Sequence, residues 1–268
     1  MANDVLSEPQ LREALGARPF RFDLQVGSTN DIARDWAVNG APAGSVVLTE
    51  EQTAGRGRFG RAWSAPPGTA LLMSIILRPR LSPEFQLHIA RMTMVGAVAV
   101  AEALEGLSLG LKPQAQLEFV TLKWPNDVLL AGRKVAGVLP EAIWQGQTLN
   151  AVIIGIGLNV RVDFNGTGLE DRATSVEAAI GTSVDRLALL RNVLQRVDFW
   201  AARVRETDLL DAWRARLETI GKRIVAHGPA GEIGGQAVDV GTDGALLVRA
   251  DDGTIQRIVA GEVTLAGA

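Results

Sequence analysis

Residues 50–63 read EEQTAGRGRFGRAW, and the rest of the chain is organised around them. Their centre, Gly55–Arg61, packs three arginines and three glycines into seven residues. Glycine admits backbone conformations that other residues avoid, and arginine presents a fixed fork of donors that suits carboxylates and phosphates. Apolar runs at Ser45–Leu48 and Ala70–Leu77 predict buried strands on both sides. We therefore expect a cationic loop between two strands, mobile without ligand and ordered when it closes over an anion.

The loop by itself leaves its role open. A basic turn in solvent and an RGG-like nucleic-acid segment both fit three arginines among glycines. A phosphate-binding P-loop does not fit, because the pattern GxxxxGK[ST] is absent and the only Gly-Lys pair, Gly221-Lys222, is followed by Arg223.

Composition narrows the classes of function. The 268 residues are enough for one large domain, or for one medium and one small domain. A net charge of −3 argues against a general nucleic-acid binder. The absence of cysteine excludes disulfides and thiolate chemistry. The two histidines, His88 and His227, do not have the spacing of metal ligands, so we expect a catalytic role for neither.

The sequence also predicts a soluble, cytoplasmic protein. Its N-terminus, MANDVLSEPQ, is polar and acidic and does not resemble a signal peptide. The longest apolar region, Met92–Leu104, is shorter than the roughly 20 residues that span a membrane.

The spacing of apolar residues predicts helices and strands in alternation up to about residue 220. Further strands are expected at Arg21–Val26, Phe119–Lys123, Val128–Leu130, Lys134–Ile143 and Ala151–Ile156. Helices are expected at Pro9–Gly16, from Gly27-Ser28-Thr29-Asn30-Asp31 through Val38, and at Pro83–Leu107, Ser175–Ile180, Asp185–Arg205 and Asp208–Leu217. Ser28 with Asp31 predicts a capping box at the start of the second helix.

The pattern of apolar and turn-forming residues changes after Gly221. Short β-rich pieces follow, separated by glycine and aspartate turns: Arg223–Ala226, Gly234–Val240, Ala245–Arg249 and Ile255–Ala260. They predict a small barrel of about 45 residues. We therefore divide the chain into a catalytic domain, residues 1–220, and a C-terminal barrel, residues 221–268.

Two more segments stand out. Lys123-Trp124-Pro125-Asn126-Asp127 follows a predicted strand, and a lysine there is either exposed or points over a ligand cleft. GIGLNV, residues 155–160, is weak as a dinucleotide fingerprint because it lacks the third glycine and does not open a βαβ unit. Glycines after a buried strand do let a flat ring approach the backbone closely.

GSTN, EEQTAGRGRFGRAW, KWPNDV, KVAGVLPE and GIGLNV together resemble the biotin–protein ligase family, the biotin–[acetyl-CoA-carboxylase] ligases, from about Asp23 onward. The resemblance implies an α+β fold: a class II aminoacyl-tRNA-synthetase-like catalytic domain, with a mixed sheet flanked by helices, and a C-terminal SH3-like barrel. It implies that the chain uses MgATP to join biotin to one lysine of a biotin carboxyl carrier protein through biotinyl-5′-AMP. The metal ligands stay unassigned.

The resemblance also implies roles for particular residues. Ser28, Thr29 and Gln52 would bind the biotin head group, with Asn30 close by. Arg56, Gly57 and Arg58 would belong to a loop that closes over the biotin carboxylate and the phosphate. Lys123 would lie between carboxylate and α-phosphate, so Lys123 and Arg58 are the expected catalytic residues. Gly137, Gly155 and Gly157 would floor the ring pocket; Arg58, Arg61, Asn126 and Asn159 would contact the nucleotide; and Phe164, within Arg161–Arg172, would cover adenine.

Some alternatives remain open at this stage. Only about 20 residues precede the first predicted strand, too few for the DNA-binding domain of some family members, so we expect no DNA binding. The sequence does not decide between a monomer and a homodimer. A lipoate or octanoate ligase would share the fold but, as far as the motifs go, not GRGRxGR with KWPND. A catalytically silent biotin-binding regulator is disfavoured by the presence of Arg58 and Lys123.

Overall fold

A computed structural model describes residues 5–79, 89–107, 120–228 and 231–265. The helices are α1 Glu8–Leu15, α2 Thr29–Val38, α3 Ile89–Leu107, α4 Val176–Ile180, α5 Arg186–Ala202 and α6 Thr207–Arg216. The strands are β1 Phe20–Val26, β2 Val46–Gln52, β3 Ala70–Leu77, β4 Val120–Lys123, β5 Asp127–Leu130, β6 Arg133–Gln145, β7 Thr148–Asn159, β8 Arg223–Gly228, β9 Gly231–Val240, β10 Leu246–Arg249, β11 Ile255–Ile258 and β12 Glu262–Leu265.

The first seven strands form one mixed sheet in the order β1-β2-β3-β7-β6-β5-β4. Strands β1 and β2 are parallel, as their connection through helix α2 requires, and the other neighbours are antiparallel. The predicted α+β fold with a mixed sheet flanked by helices is confirmed.

The two faces of strand β7 carry different residues, and this difference positions the site. Ile154, Ile156 and Leu158 enter the main core, which also contains the buried residues of α3 and α5. On the opposite face, Ile153 packs with α2 in a second cluster. Gly155 and Gly157 continue that second face past the apolar residues of α2, where a cavity opens.

Helix α3 is the core helix that the sequence predicts from Pro83 to Leu107. Its described part, Ile89–Leu107, buries Met92 and Met94 completely, as expected for packing residues. The start of the prediction, residues 83–88, lies outside the described residues. In the described part of the chain, no helix is long and apolar enough to cross a membrane.

The predicted capping box at helix α2 is wrong. Ser28 does occupy the N-cap position, but its side chain makes no capping hydrogen bond. Asp31 instead accepts two hydrogen bonds from the guanidinium of Arg56, at 2.7 Å each. The carboxylate that would close the box is therefore turned towards the arginine loop.

The C-terminal strands form a second, antiparallel sheet in the order β11-β10-β9-β8-β12. Four of its strands match predicted pieces, whereas β12, Glu262–Leu265, was not predicted. Buried side chains of the first domain reach this sheet: Arg91 donates to the carbonyl of Thr242 at 3.1 Å, and Trp124 Nε1 donates to that of Gly244 at 2.9 Å. The second sheet begins at Arg223; the boundary at residue 220 stays a prediction.

Candidate active site

A cavity opens where the arginine loop meets the glycine-bearing face of the sheet. Most of the residues that the sequence singles out lie around it. Those lining the cavity are Ser28, Thr29, Asn30, Gln52, Arg56, Gly57, Arg58, Arg61, Asn126, Gly137, Gly155 and Gly157. Lys123 and Asn159 do not line it, whereas Trp63, Asp127, Lys134 and Glu262, which the sequence analysis did not select, do.

One end of the cavity is polar. Thr29 donates to Oε1 of Gln52 from its backbone nitrogen at 2.8 Å and from its hydroxyl at 3.1 Å. The hydroxyl oxygen of Ser74 lies 2.7 Å from Thr29 Oγ1 and 2.6 Å from Asn30 Oδ1. Ser74 is fully buried on strand β3, and nothing in its sequence context distinguished it from a core serine. These contacts hold a preformed set of donors and acceptors at this end.

The glycines of the cavity wall make room for protein side chains, not only for a ligand. A Cβ added at Gly155 would lie 3.0 Å from the carboxamide carbon of Asn30. One added at Gly157 would overlap the indole of Trp63, lying 2.6 Å from its Nε1, and one at Gly137 would lie 3.1 Å from the same ring. Trp63 thus lies flat across the sheet and supplies the apolar middle of the cavity.

The arginine loop is folded as a tight hairpin. Gly57 donates to the carbonyl of Arg61 at 2.7 Å, and Trp63 donates to that of Gly55 at 2.9 Å. A Cβ on Gly55 would overlap the carbonyl oxygen of Trp63, so this crossing requires glycine. The predicted mobility of the unliganded loop stays a prediction.

The three arginines of the loop point in different directions. Arg56 is bound by Asp31 and also lies 3.2 Å from Glu141 on β6. Arg61 forms an ion pair with Glu262 on β12, which brings the C-terminal sheet to the cavity. Arg58 contacts only neutral groups closely: its Nη1 lies 3.5 Å from Asn126 Oδ1, and its guanidinium lies over its neighbouring phenyl ring, 4.9 Å from the centroid.

These surroundings set the electrostatics of the loop. Burial is the largest influence on Arg58 and lowers the pKa of its guanidinium, against the smaller opposing effects of Glu262 and Asp127. Arginine nevertheless remains charged at neutral pH. The hydrogen bond from Arg56 lowers the pKa of Asp31. Arg58 is therefore a half-buried cation without an ion-pair partner among the described residues, and an anion in the cavity would compensate it.

The lysine at the cavity is Lys134, which the sequence analysis did not select. Its Nζ lies 2.7 Å from Asp127 Oδ1, 5.5 Å from the centroid of the Trp63 ring, and 3.5 Å from a Cβ placed at Gly137. The side chain therefore extends over Gly137 towards the centre of the site. The signal in the sequence was its position at the start of a strand, three residues before a glycine.

The expectation that Lys123 lies over the cleft is not met. Lys123 pairs with Asp127, Asp127 with Gly137, and Gly137 with Gly157, so all four lie in one row across the sheet. Lys123, however, sits on β4 at the edge, two strands away from Gly137. At about 4.8 Å per strand, this places its backbone about 10 Å from that of Gly137.

Comparisons with known proteins agree with this geometry. The profile of the Biotin/lipoate A/B protein ligase family matches residues 22–159, more than half of the chain. The chain belongs to this family. The profile of the Biotin protein ligase C terminal domain matches residues 219–265, and the resemblance to biotin–protein ligases noted in the sequence is confirmed.

Relatives within the biotin–protein ligases align over most of the chain. It is 33% identical to the Biotin--[acetyl-CoA-carboxylase] ligase of Mycobacterium tuberculosis, covering 96% of this chain and 95% of that one. It is 32% identical to the Bifunctional ligase/repressor BirA of Bacillus subtilis, covering 97% and 79%. The structure of Biotin protein ligase from Aquifex aeolicus in complex with biotin and ATP superposes with a TM-score of 0.75 at 28% identity, covering 93% and 99%.

Asn159 is the residue expected to face adenine in this ligase, and its side chain contacts the protein backbone. It lies at the end of β7 and is buried, and its Nδ2 donates to the carbonyl of Thr174 at 3.3 Å. Its carboxamide therefore ties β7 to the segment before α4 and does not line this cavity, and its place near adenine stays a prediction.

Phe164, the candidate for covering adenine, lines a second cavity together with Arg133 and Arg161. It also packs in the small apolar cluster that contains Trp63. At the start of β6, Arg133 lines this second cavity and the next residue, Lys134, lines the first.

His227, the histidine that the structure describes, does not line the active-site cavity. His227 lies on β8, where its Nδ1 is 3.0 Å from Glu232 on β9. His88 lies outside the described residues. Among the described residues there is also no cluster of three or more side chains that could hold a metal ion.

Proposed function

We propose that this protein is an ATP-dependent biotin–protein ligase. An oxygen of the biotin carboxylate attacks the α-phosphorus of ATP, the bond to the β-phosphate oxygen breaks, and pyrophosphate leaves biotinyl-5′-AMP behind. The amine of a carrier lysine then attacks the acyl carbon, expels AMP, and loses a proton as the amide forms. Family membership and the relatives named as biotin–[acetyl-CoA-carboxylase] ligases support both half-reactions.

The order of chemistry along the cavity is the observation that carries this proposal. Thr29 and Gln52 supply polar groups at the end near Gly155, the Trp63 ring lies over Gly157, and Lys134 and Arg58 supply positive charge beyond it. Biotin has the same order: a polar ureido ring, an apolar chain and a carboxylate. We therefore assign the polar end to the head group, as the sequence predicted for Ser28, Thr29, Asn30 and Gln52.

We assign the catalytic charge to Lys134 and Arg58, and withdraw it from Lys123. Both reactants of the first step are anions, so their approach depends on cations held where negative charge develops. Arg58 is a desolvated cation, and Lys134 is held in place by its contact with Asp127. A carboxylate that is already ionised at neutral pH needs no general base.

ATP and Mg²⁺ accompany biotin in this reaction. Mg²⁺ prefers oxygen ligands and is commonly held by one or two carboxylates together with substrate phosphates. Asp127 and Glu262 are the carboxylates that line the described cavity, so they are the residues that would hold the metal of MgATP. We assign the adenosine end to the direction of the second cavity, which Phe164 lines.

The lipoate and octanoate alternative is tested by the choice of acid. A site built to hydrogen-bond a substrate rejects an analogue without those groups by about 10⁴-fold or more. We expect pyrophosphate release from ATP with biotin, and release with lipoate or octanoate at the level without acid. Equal release with lipoate would overturn the assignment, and the absence of release with any of these acids would identify a catalytically silent protein.

Biotin ligases act on carrier domains of carboxylases, and we propose such a domain as the partner here. Its identity and the oligomeric state, monomer or homodimer, are open. The absence of DNA binding and of membrane association, and a cytoplasmic location, stay predictions.

A further inference from the structure

The carboxylate of Glu141 lies outside the cavity lining, yet donors from two sides of the site converge on it. Glu141 is on β6, four residues after Gly137, and its side chain is 17% exposed. Its Oε1 accepts from Asn30 Nδ2 at 2.8 Å and from Arg56 Nη2 at 3.2 Å. Its Oε2 contacts the guanidinium of Arg34. One acidic group therefore contacts both helix α2 and the arginine loop.

On the helix side, Glu141 orients a residue of the polar end. The carboxamide of Asn30 is held at its oxygen by Ser74 at 2.6 Å and at its nitrogen by Glu141. The carbonyl of Leu139 is a second, longer acceptor for that nitrogen at 3.4 Å. Because the close approach of Asn30 to Gly155 leaves little space, loss of Glu141 would free the nitrogen without giving the carboxamide a new position.

On the loop side, Glu141 holds the first arginine. The guanidinium of Arg56 donates two hydrogen bonds to Asp31 and a third to Glu141, and both acceptors lie outside the loop. Its backbone pairs with Ala62 across the loop hairpin. Because Arg56 is held in place, both sides of the hairpin that carries Arg58 at its tip are held as well.

We propose that Glu141 is a positioning residue that ties the arginine loop to the polar end of the cavity. This inference rests on the proposed function, because it assigns two roles in that function to the carboxylate of Glu141. Through Asn30 the carboxylate supports binding of the biotin head group. Through Arg56 it keeps the loop closed over the adenylate. It takes no part in the chemistry at Lys134.

Two variants separate these tasks. Glu141→Gln keeps an oxygen acceptor for Asn30 but lacks the charge that holds Arg56, whereas Glu141→Ala keeps neither. We expect Glu141→Ala to raise the KM for biotin about 10-fold and the release rate of biotinyl-AMP about 10-fold, as for loss of one charge-assisted contact. We expect Glu141→Gln to speed release equally and to raise the KM less than about threefold. Adenylate formation at saturating biotin should change less than about threefold in both.

Two further variants serve as matched controls. Glu51→Gln removes a carboxylate on β2 whose contact, with Gln25 Nε2 at 2.8 Å, lies away from the cavity, and both parameters should stay unchanged. Asp31→Asn weakens only the Arg56 contact, so it should speed adenylate release and leave the KM for biotin unchanged. Thermal unfolding of each variant identifies a change that reflects folding alone.

Normal adenylate release by Glu141→Gln would overturn the proposal, and so would a KM that rises as much as in Glu141→Ala. Failure of the proposed function is distinguishable, because the unaltered chain would then release no pyrophosphate with biotin. Hydrogen exchange of residues 55–61 tests whether Glu141 holds the loop, and it does so whether or not the protein makes biotinyl-AMP. Faster exchange in Glu141→Gln than in the unaltered chain supports the tie to the loop, and equal exchange overturns it.

Discussion

Replacing Lys134 or Lys123 with methionine distinguishes the lysine at the cavity from the lysine that the sequence motif favoured. Methionine keeps an apolar stem and removes the charge. Lys134 Nζ lies 2.7 Å from Asp127 and reaches across Gly137 into the cavity, so Lys134→Met removes a fixed cation from the centre of the site. Loss of one preorganised donor of this kind costs about 10²- to 10³-fold in rate, or about 3–4 kcal/mol.

The same change at Lys123 should matter little. A charge at the backbone position of Lys123, about 10 Å from Gly137, would interact across that distance by about 0.4 kcal/mol in water, which corresponds to about a twofold change in rate. Stability should also change little in Lys134→Met. The side chain of Lys134 is 33% exposed, and ion pairs of this kind contribute about 0–1 kcal/mol.

Single-turnover formation of biotinyl-AMP from saturating biotin and ATP is the appropriate assay, with thermal unfolding of each variant alongside. We expect a loss of at least about 100-fold for Lys134→Met and less than about threefold for Lys123→Met. The reverse pattern would refute the assignment of Lys134 and restore Lys123 as the catalytic lysine.

Three other predictions follow from the same geometry. Arg58→Gly should still make biotinyl-AMP but release it about 10- to 100-fold faster, so that a bystander protein becomes biotinylated on a blot; an unlabelled bystander with an unchanged release rate would contradict this. Gly157→Ala should push against the Trp63 ring and raise the KM for biotin about 10-fold, because overpacking costs about 1–3 kcal/mol; a normal KM would show that the ring moves freely. The hydrogen bond from Arg56 lowers the pKa of Asp31 from 3.8, so the contact between these side chains should persist above pH 3.8 and weaken only as the pH falls through the lowered pKa. Loss of the loop's protection from hydrogen exchange already at neutral pH would contradict this.

The elements of the fold were largely predictable because apolar periodicity reports burial directly. Strand β3, Ala70–Leu77, is apolar at nearly every position and is buried along its whole length, as the sequence indicated. Strand β12, Glu262–Leu265, was not predicted. Its pairing with β8 is a tertiary contact that local pattern does not encode.

The site was predictable as a group of segments but not as a set of contacts. Motif order brought Thr29, Gln52 and Arg58 correctly to one cavity. The choice between Lys123 and Lys134 depended on strand order, because both lysines lie near strand ends and only the sheet determines which strand is central. Glu141 ends the KVAGVLPE segment, but its role could not be predicted from that segment, since its partners come from residues 30, 34 and 56.

Isolation of the intermediate tests the central claim most directly. The protein is incubated with biotin and ATP in the absence of carrier, the mixture is quenched, and small molecules are identified by mass spectrometry. A biotin carboxyl carrier domain is then added to a parallel sample. We predict that biotinyl-5′-AMP forms in step with pyrophosphate, disappears when carrier is added, and leaves one biotinylated lysine on the carrier. Carrier biotinylation without any adenylate, or pyrophosphate release that does not require biotin, would contradict the account.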